Sequence, residues 1–263
     1  MADTILEEIA AKTRERVAAA KRRGPPAEME RRARALGAQT GFPFEAALRG
    51  KDIAFICEVK KASPSKGMIA LEFPYRQIAL DYEAAGAAAV SVLTEPAYFQ
   101  GADAYLSDIA AAVGIPVLRK DFTVDSYMIY EARTLGAAAV LLIAALLDGD
   151  TLRDYIGVAH SLGLSALVEA HTAEETEVAV KAGARIIGVN NRDLRTFQVD
   201  TGNCLRLRPL VPRSVLFVAE SGVRTAADID RLRAGGVDAV LVGETLMRAP
   251  DRKAALAALR GTP

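Results

Sequence analysis

Eight short apolar runs, rich in β-branched residues, alternate with segments of helix length from residue 53 onward. Several of these segments carry a glycine shortly before the next run, as at Gly86, Gly136 and Gly183, where glycine can end a helix tightly. Strands that alternate with helices pair in parallel, and eight such units close naturally into a (β/α)8 TIM barrel. The runs cover residues 53–59, 88–93, 116–118, 138–143, 166–168, 185–189, 215–219 and 239–242.

An open, doubly wound sheet is the alternative fold for the same alternation. The barrel is favoured because the eight units have even lengths and no Gly-x-Gly-x-x-Gly turn follows the first run. Residues 1–50 differ from the rest, with helical patterns that reach Arg22 and then cover 27–36 and 43–48. We predict one barrel domain over 1–263, of which roughly 1–50 is an N-terminal helical extension.

The balance of charge argues against two classes of partner. The chain has 33 basic and 33 acidic residues, so no global field attracts nucleic acid or an acidic membrane. The longest apolar run, 135–147, is too short to span a bilayer, and the charged N-terminus lacks the apolar core of a secretory signal. Cys57 and Cys204 form no CxxC pair, which predicts reduced thiols in a cytoplasmic protein.

The segment that follows the first run carries several reactive side chains. Residues 58–67 read EVKKASPSKG. Alternate side chains of an extended segment share a face, so Glu58 and Lys60 are predicted to point together while Cys57 and Val59 point the other way. A salt bridge at a strand end would also explain this pair, and the ends of the other strands decide between the two interpretations.

Polar residues or glycines follow most of the other runs. In barrels of this kind, chemistry takes place at the carboxyl ends of the strands. Lysines and carboxylates that meet in a partly apolar cavity shift one another's pKa toward values useful for catalysis. The sequence therefore predicts an active site there, built from Glu58, Lys60, Ser63, Lys120, Asp121, Glu169, Asn190, Arg192, Glu220, Ser221, Gly222, Gly243 and Glu244.

Two of these turns predict a phosphorylated small-molecule substrate. Gly222 and Gly243 stand where the last two runs lead into helices, and the loops after strands seven and eight often hold phosphate in such barrels. The chain has two histidines and no metal-binding spacing, so no metal is expected. His171 is expected to be a helix-start or surface residue and not a catalyst.

Six segments resemble one family, the indole-3-glycerol-phosphate synthases of tryptophan biosynthesis. They are residues 58–67, 116–122, 167–169, 187–194, 219–222 and 242–247, and they run the length of the predicted barrel. The resemblance implies that the substrate is 1-(2-carboxyphenylamino)-1-deoxyribulose 5-phosphate. This substrate would close to indole-3-glycerol phosphate with loss of carbon dioxide and water, and no cofactor is implied.

The resemblance also implies roles for the strand-end residues. Lys120 would be the general acid for ring closure, Glu169 the acid/base partner in dehydration, and Lys60 a substrate-facing cation held by Glu58. Asn190 and Ser221 complete the implied catalytic set. Residues implied to bind the substrate are Ser63, Phe99, Phe122, Leu141, Arg192, Glu220, Gly222, Gly243 and Glu244.

Three residues depart from the family's usual pattern. Glu95 and Ala102 stand where aspartate and serine are common, and Thr245 replaces a frequent serine. Two other readings stay open: a different sugar-phosphate enzyme, such as an isomerase or a Schiff-base aldolase acting through Lys120, and a non-catalytic binding module. Contact with other enzymes of the tryptophan pathway and the identity of the second proton donor are also left open.

Overall fold

A computed structural model describes residues 4–50, 52–193 and 196–261, so Leu194 of the 187–194 segment lies outside the described residues. Eight parallel strands close into a barrel in which each strand pairs with the next and the last pairs with the first. This confirms the predicted (β/α)8 fold. The strands are β1 Ala54–Val59, β2 Ala89–Leu93, β3 Val117–Lys120, β4 Ala139–Ile143, β5 Ser165–Ala170, β6 Ile186–Asn190, β7 Leu216–Glu220 and β8 Ala239–Val242.

Three helices precede the barrel, as the sequence predicts, and the others connect its strands or follow β8. The first begins at a capping box between Thr4 and Glu7 and ends at Gly24, ahead of two prolines. No helix in the described ranges is long and apolar enough to cross a membrane. The helices are α1 Ile5–Arg23, α2 Pro26–Ala35, α3 Pro43–Leu48, α4 Tyr75–Ala84, α5 Asp103–Ala112, α6 Ser126–Thr134, α7 Gly149–Ser161, α8 Ala173–Lys181, α9 Asn203–Leu207, α10 Ala226–Ala234, α11 Glu244–Met247 and α12 Arg252–Arg260.

The side chains of β1 alternate between two cores. Phe55, Cys57 and Val59 pack outward against the helices. Ala54 and Ile56 pack into the barrel, where α3 adds Phe44 and Leu48 to the same cluster. Because the side-chain period of a strand is two residues, Glu58 continues the inward row above Ile56.

The same inward-facing pattern on three other strands places ionisable side chains in the barrel. Leu118 precedes Lys120, Leu167 precedes Glu169, and Val218 precedes Glu220, and the three apolar members belong to the inner core. The apolar runs predicted from sequence stop at residues 118, 168 and 219, whereas β3, β5 and β7 extend through the charged residue. Hydrophobicity alone places the strand ends too early because the last inward position is polar.

Helix α1 is tied to the carboxyl ends of β2 and β3. Arg16 donates to Asp121 Oδ1 at 2.7 Å, and Thr94 Oγ1 donates to Asp121 Oδ2 at 2.5 Å. Although burial raises the pKa of Asp121, Arg16 and Arg119 lower it below its ordinary value. The buried carboxylate that directly follows Lys120 therefore depends on a cation from the N-terminal helix.

We expect Arg16→Met to lower the free energy of unfolding by about 2 kcal/mol, because it removes a charge-assisted hydrogen bond from a buried carboxylate. Urea unfolding at pH 7 measures this change. The matched control is Arg14→Met, which alters an exposed position of the same helix. Equal losses in the two variants would show that the contact with Asp121 does not anchor α1.

Candidate active site

A cavity of about 450 Å³ opens at the carboxyl ends of the barrel strands. Ile5, Leu6 and Ile9 of α1 form part of its wall, which the sequence did not predict. The residues predicted to form the site all line this one cavity: Glu58, Lys60, Ser63, Phe99, Lys120, Asp121, Phe122, Leu141, Glu169, Asn190, Arg192, Glu220, Ser221, Gly222, Gly243 and Glu244.

Lys120 lies between two acidic side chains, and all three line the cavity. Its Nζ is 2.9 Å from Glu169 Oε2 and 3.7 Å from Glu220 Oε2. Burial alone would lower the pKa of this ammonium, but the neighbouring acidic groups, above all the negative charge of Glu169, raise it above the ordinary value of lysine. Lys120 is therefore a cation over the physiological range, with a proton available to a substrate.

The two carboxylates have opposite pKa shifts. Burial would raise the pKa of Glu169, but Lys120 and His171 lower it to about 2. Asn190 also donates from Nδ2 to Glu169 Oε1 at 3.2 Å. Burial together with the charge of Glu169 raises the pKa of Glu220 to about 8. Adjacent carboxylates with separated pKa values supply one base and one acid at neutral pH.

We expect Glu220→Gln to be more stable than the parent chain at pH 8 although it impairs activity. An acid with a raised folded pKa destabilises the fold progressively as pH rises from its unfolded value toward about 8, because only the unfolded chain ionises freely. The glutamine removes this cost. The gain in melting temperature over the parent should therefore grow between pH 5 and pH 8. A gain that does not change with pH would contradict a protonated Glu220.

The pair formed by Glu58 and Lys60 lies against the backbone of Gly243, directly after β8. Lys60 Nζ donates to Glu58 Oε1, as the shared face of the strand predicts. A Cβ on Gly243 would overlap that carboxylate oxygen and lie 3.1 Å from Lys60 Nζ. In the same way, a Cβ on Gly188 of β6 would overlap Glu220 Oε1. These two glycines leave room in the barrel for the buried carboxyl groups of Glu58 and Glu220.

The loop after β1 contains a small hairpin that the sequence analysis missed. Ala62–Ser63 pairs with Gly67–Met68, and the turn between them carries Lys66. Lys66 Nζ is 3.5 Å from Oε1 of Glu244, the first residue of α11. The loops that follow the first and last strands therefore meet at the rim of the cavity.

The turn after β7 adopts a conformation that few side chains accept. Ser221 has a φ of 68° and Gly222 a φ of 90°, both in the left-handed region. Asn191 donates from Nδ2 to the carbonyl of Ser221 at 3.1 Å. Thr245, one of the residues that depart from the family's pattern, donates to the carbonyl of Val223 at 2.8 Å. Side chains from two neighbouring loops thus fix the turn.

Aromatic side chains form an apolar wall near the charged cluster. The rings of Phe99 and Phe122 lie 5.9 Å apart between centroids, and Leu141 lines the same cavity. Glu95 accepts hydrogen bonds from the backbone amides of Ala97, Tyr98 and Phe99 at 2.7–3.0 Å. This buried carboxylate fixes the turn that presents Phe99. Other lining residues that the sequence reasoning missed include Phe197, Val199, Arg224 and Arg248.

The expectation that His171 is a helix-start or surface residue is corrected in part. It does lie immediately before Thr172, which caps α8. However, its imidazole is partly buried beside the site, with Nε2 3.4 Å from Glu169 Oε1. The sequence did not predict this contact, because residue 171 lies only two positions beyond Glu169 and the direction of its side chain depends on the turn into α8.

A closed parallel barrel with a buried lysine–carboxylate cluster at the carboxyl ends of its strands defines a (β/α)8-barrel enzyme. Solved structures of other barrels share this fold. A 3-hexulose-6-phosphate synthase superposes with a TM-score of 0.66 at 16% identity, covering 80% of this chain and 99% of that one. A thiamine phosphate pyrophosphorylase from Pyrococcus furiosus gives a TM-score of 0.59 at 19% identity, covering 81% and 96%.

Sequence relatives identify the family. The family described as indole-3-glycerol phosphate synthase matches residues 6–259. The enzyme of that name from Ruminiclostridium cellulolyticum is 57% identical over 258 residues, covering 98% of this chain and 99% of its own. That of Endomicrobium trichonymphae is 54% identical over 244 residues, covering 93% and 95%. The chain belongs to the indole-3-glycerol phosphate synthase family.

Proposed function

We propose that this cavity converts 1-(2-carboxyphenylamino)-1-deoxyribulose 5-phosphate to indole-3-glycerol phosphate, carbon dioxide and water. The observation that carries the proposal is the position of Lys120, a buried ammonium 2.9 Å from Glu169 and 3.7 Å from Glu220. Ring closure requires a proton at a developing alkoxide, and a fixed ammonium supplies the proton while its charge stabilises the oxyanion.

In the first step, the ring carbon that bears the carboxylate attacks the ribulose carbonyl carbon, and Lys120 protonates the carbonyl oxygen. The carboxylate then leaves as carbon dioxide, and its bonding electrons restore the aromatic ring. Glu58 holds Lys60 on the neighbouring wall, where its charge meets the carboxylate or phosphate side of the substrate. Two cations are thus directed at a substrate that carries two anionic groups.

The second step removes the new hydroxyl as water. Glu169 remains ionised because Lys120 and His171 lower its pKa to about 2, so it takes the proton that leaves when the double bond of the indole ring forms. A positioned ammonium protonates the departing hydroxyl. Glu220, which keeps its own proton below about pH 8, orients the substrate by donating a hydrogen bond to it.

The remaining lining residues fit the rest of the substrate. Phe99, Phe122 and Leu141 accept the aromatic ring, because all three present apolar surface to the cavity. The strained turn at Ser221 and Gly222 and the glycine at residue 243 present backbone to a phosphate. Further polar contacts come from Ser63, Asn190, Arg192 and Glu244.

Single-turnover formation of the indole ring, followed by fluorescence with the carboxyphenylamino substrate, tests the proposal. We expect stoichiometric indole-3-glycerol phosphate and carbon dioxide. Borohydride treatment in the presence of substrate tests the Schiff-base aldolase. That reaction needs a neutral amine, whereas the carboxylates around Lys120 raise its pKa and keep it protonated. A reducible adduct without indole formation would support the aldolase, and binding without turnover would support a non-catalytic module.

We further propose that the helical extension and the barrel form one domain over residues 1–263 and that the protein acts in the cytoplasm. The ties from α1 to Asp121 and Asp125, at 2.7 Å and 2.6 Å, support the first statement. Cys57 and Cys204 are buried and unpaired, which supports a reducing compartment. A phosphorylated metabolite is the only partner that the site requires, and neither nucleic acid nor membrane enters the proposal.

A further inference from the structure

Each oxygen of the Glu169 carboxylate meets a different set of partners. Oε2 is 2.9 Å from Lys120 Nζ. Oε1 accepts a hydrogen bond from Asn190 Nδ2 at 3.2 Å and also lies 3.4 Å from His171 Nε2. The contact with His171 is an ion pair only when the imidazole is protonated, and its buried Nε2 has no hydrogen-bond partner among the described residues. In a protonated imidazole, Nε2 carries a proton that faces the carboxylate of Glu169.

The other side of the imidazole is held by α8. Nδ1 of His171 lies 3.3 Å from Glu175 Oε2, and the same oxygen accepts the backbone amide of His171 at 2.7 Å. Asn203 of α9 donates to the carbonyl of His171 at 3.0 Å. The ring therefore lies between two carboxylates, one in the cavity and one in the first turn of a helix.

The charged groups that face His171 come from three elements. They are Glu169 of β5, Glu175 of α8 and, at longer range, Glu220 of β7, while Lys120 of β3 lies on the far side of Glu169. Burial would lower the pKa of the imidazole, but Glu175 and Glu169 raise it above its ordinary value. The two carboxylates therefore stabilise the imidazolium form of His171.

We propose that His171 is a positioning residue for Glu169: Glu175 holds its protonated ring so that Nε2 faces Glu169 Oε1 and fixes the orientation of that carboxylate. The proposal rests on the proposed function only for its effect on turnover. The contact itself can be tested without substrate.

Nuclear magnetic resonance titration of the ring protons provides that test, because the chain has only two histidines. His160 is the internal control: burial lowers its pKa to about 4, and it lies outside the cavity lining. We expect His171 to titrate above 6.5, and Glu169→Gln and Glu175→Gln each to lower its pKa by about 1 unit. His160 should not respond to either substitution. Titration of His171 at or below 6.5, or no response to Glu169→Gln, would overturn the proposal.

The pH dependence of kcat gives the functional test. In the parent enzyme, kcat should fall several-fold as pH rises through the pKa of His171, because the charge contact that orients Glu169 is lost. His171→Gln keeps a neutral hydrogen-bond donor but carries no charge. Its kcat should therefore already be several-fold lower than that of the parent at pH 6.5, should not fall further through the pKa of His171, and should be accompanied by little change in KM. His160→Gln should retain the parent profile. If His171 had a purely structural role, His171→Gln would lower kcat by the same factor at every pH, and the fall in kcat with rising pH would remain.

Discussion

Lys120→Ala should reduce turnover by about 10³-fold or more, because it removes both the proton donor and the charge that stabilises the oxyanion. Among the described residues, Lys120 is the cation that pairs with both Glu169 and Glu220, so its removal leaves the proton donor of this cluster unreplaced. Single-turnover indole fluorescence measures the loss. The far-UV circular dichroism spectrum of the same sample should match that of the parent, because most of the inner core lies deeper in the barrel than the side chain of Lys120.

The matched control is Lys181→Ala. Lys181 lies in the last turn of α8, is largely exposed and contacts Glu177 at 3.4 Å. Its replacement should leave turnover within about two-fold of the parent, since exposed ion pairs contribute little. Near-normal turnover in Lys120→Ala, with the barrel folded, would refute the assignment of the general acid.

Glu169→Gln should lower the overall rate by about 10²-fold or more, the usual contribution of a general base. The amide preserves the size of the side chain but cannot take a proton. Because the proposed role of Glu169 lies in dehydration, release of carbon dioxide should outrun formation of the indole ring. Rapid quenching with labelled substrate measures carbon dioxide and product separately.

Glu177→Gln is the control for this experiment because it alters an exposed carboxylate on α8. It should release carbon dioxide and form product in step. If Glu169→Gln slows both events equally, Glu169 acts before decarboxylation, and its role in dehydration is wrong.

The strand-end residues could be predicted from sequence because barrel topology converts a linear pattern into a spatial one. Lys120 and Glu169 are 49 residues apart in the chain, yet each occupies the last inward position of a strand. Once eight parallel strands are predicted, their carboxyl ends must meet. The pattern therefore predicted proximity without predicting a single distance.

Features set by loop conformation could not be predicted in this way. The left-handed φ of Ser221 depends on tertiary contacts such as the one from Asn191. The contact of α1 with the cavity depends on how a separate helix docks, and the only sequence signal was the apolar spacing of Ile5 and Ile9. His171 required knowledge of the turn that leads into α8.

The inward rows of the barrel have a consequence for protein engineering. Leu118, Leu167 and Val218 belong to the inner core one level below the charged residues, and none of the three lines the cavity. Selection for a new substrate could therefore alter the upper level and the loops while the lower level stays constant. Libraries confined to the positions above these three should keep a high fraction of folded members, which makes the chain a suitable starting point for directed evolution.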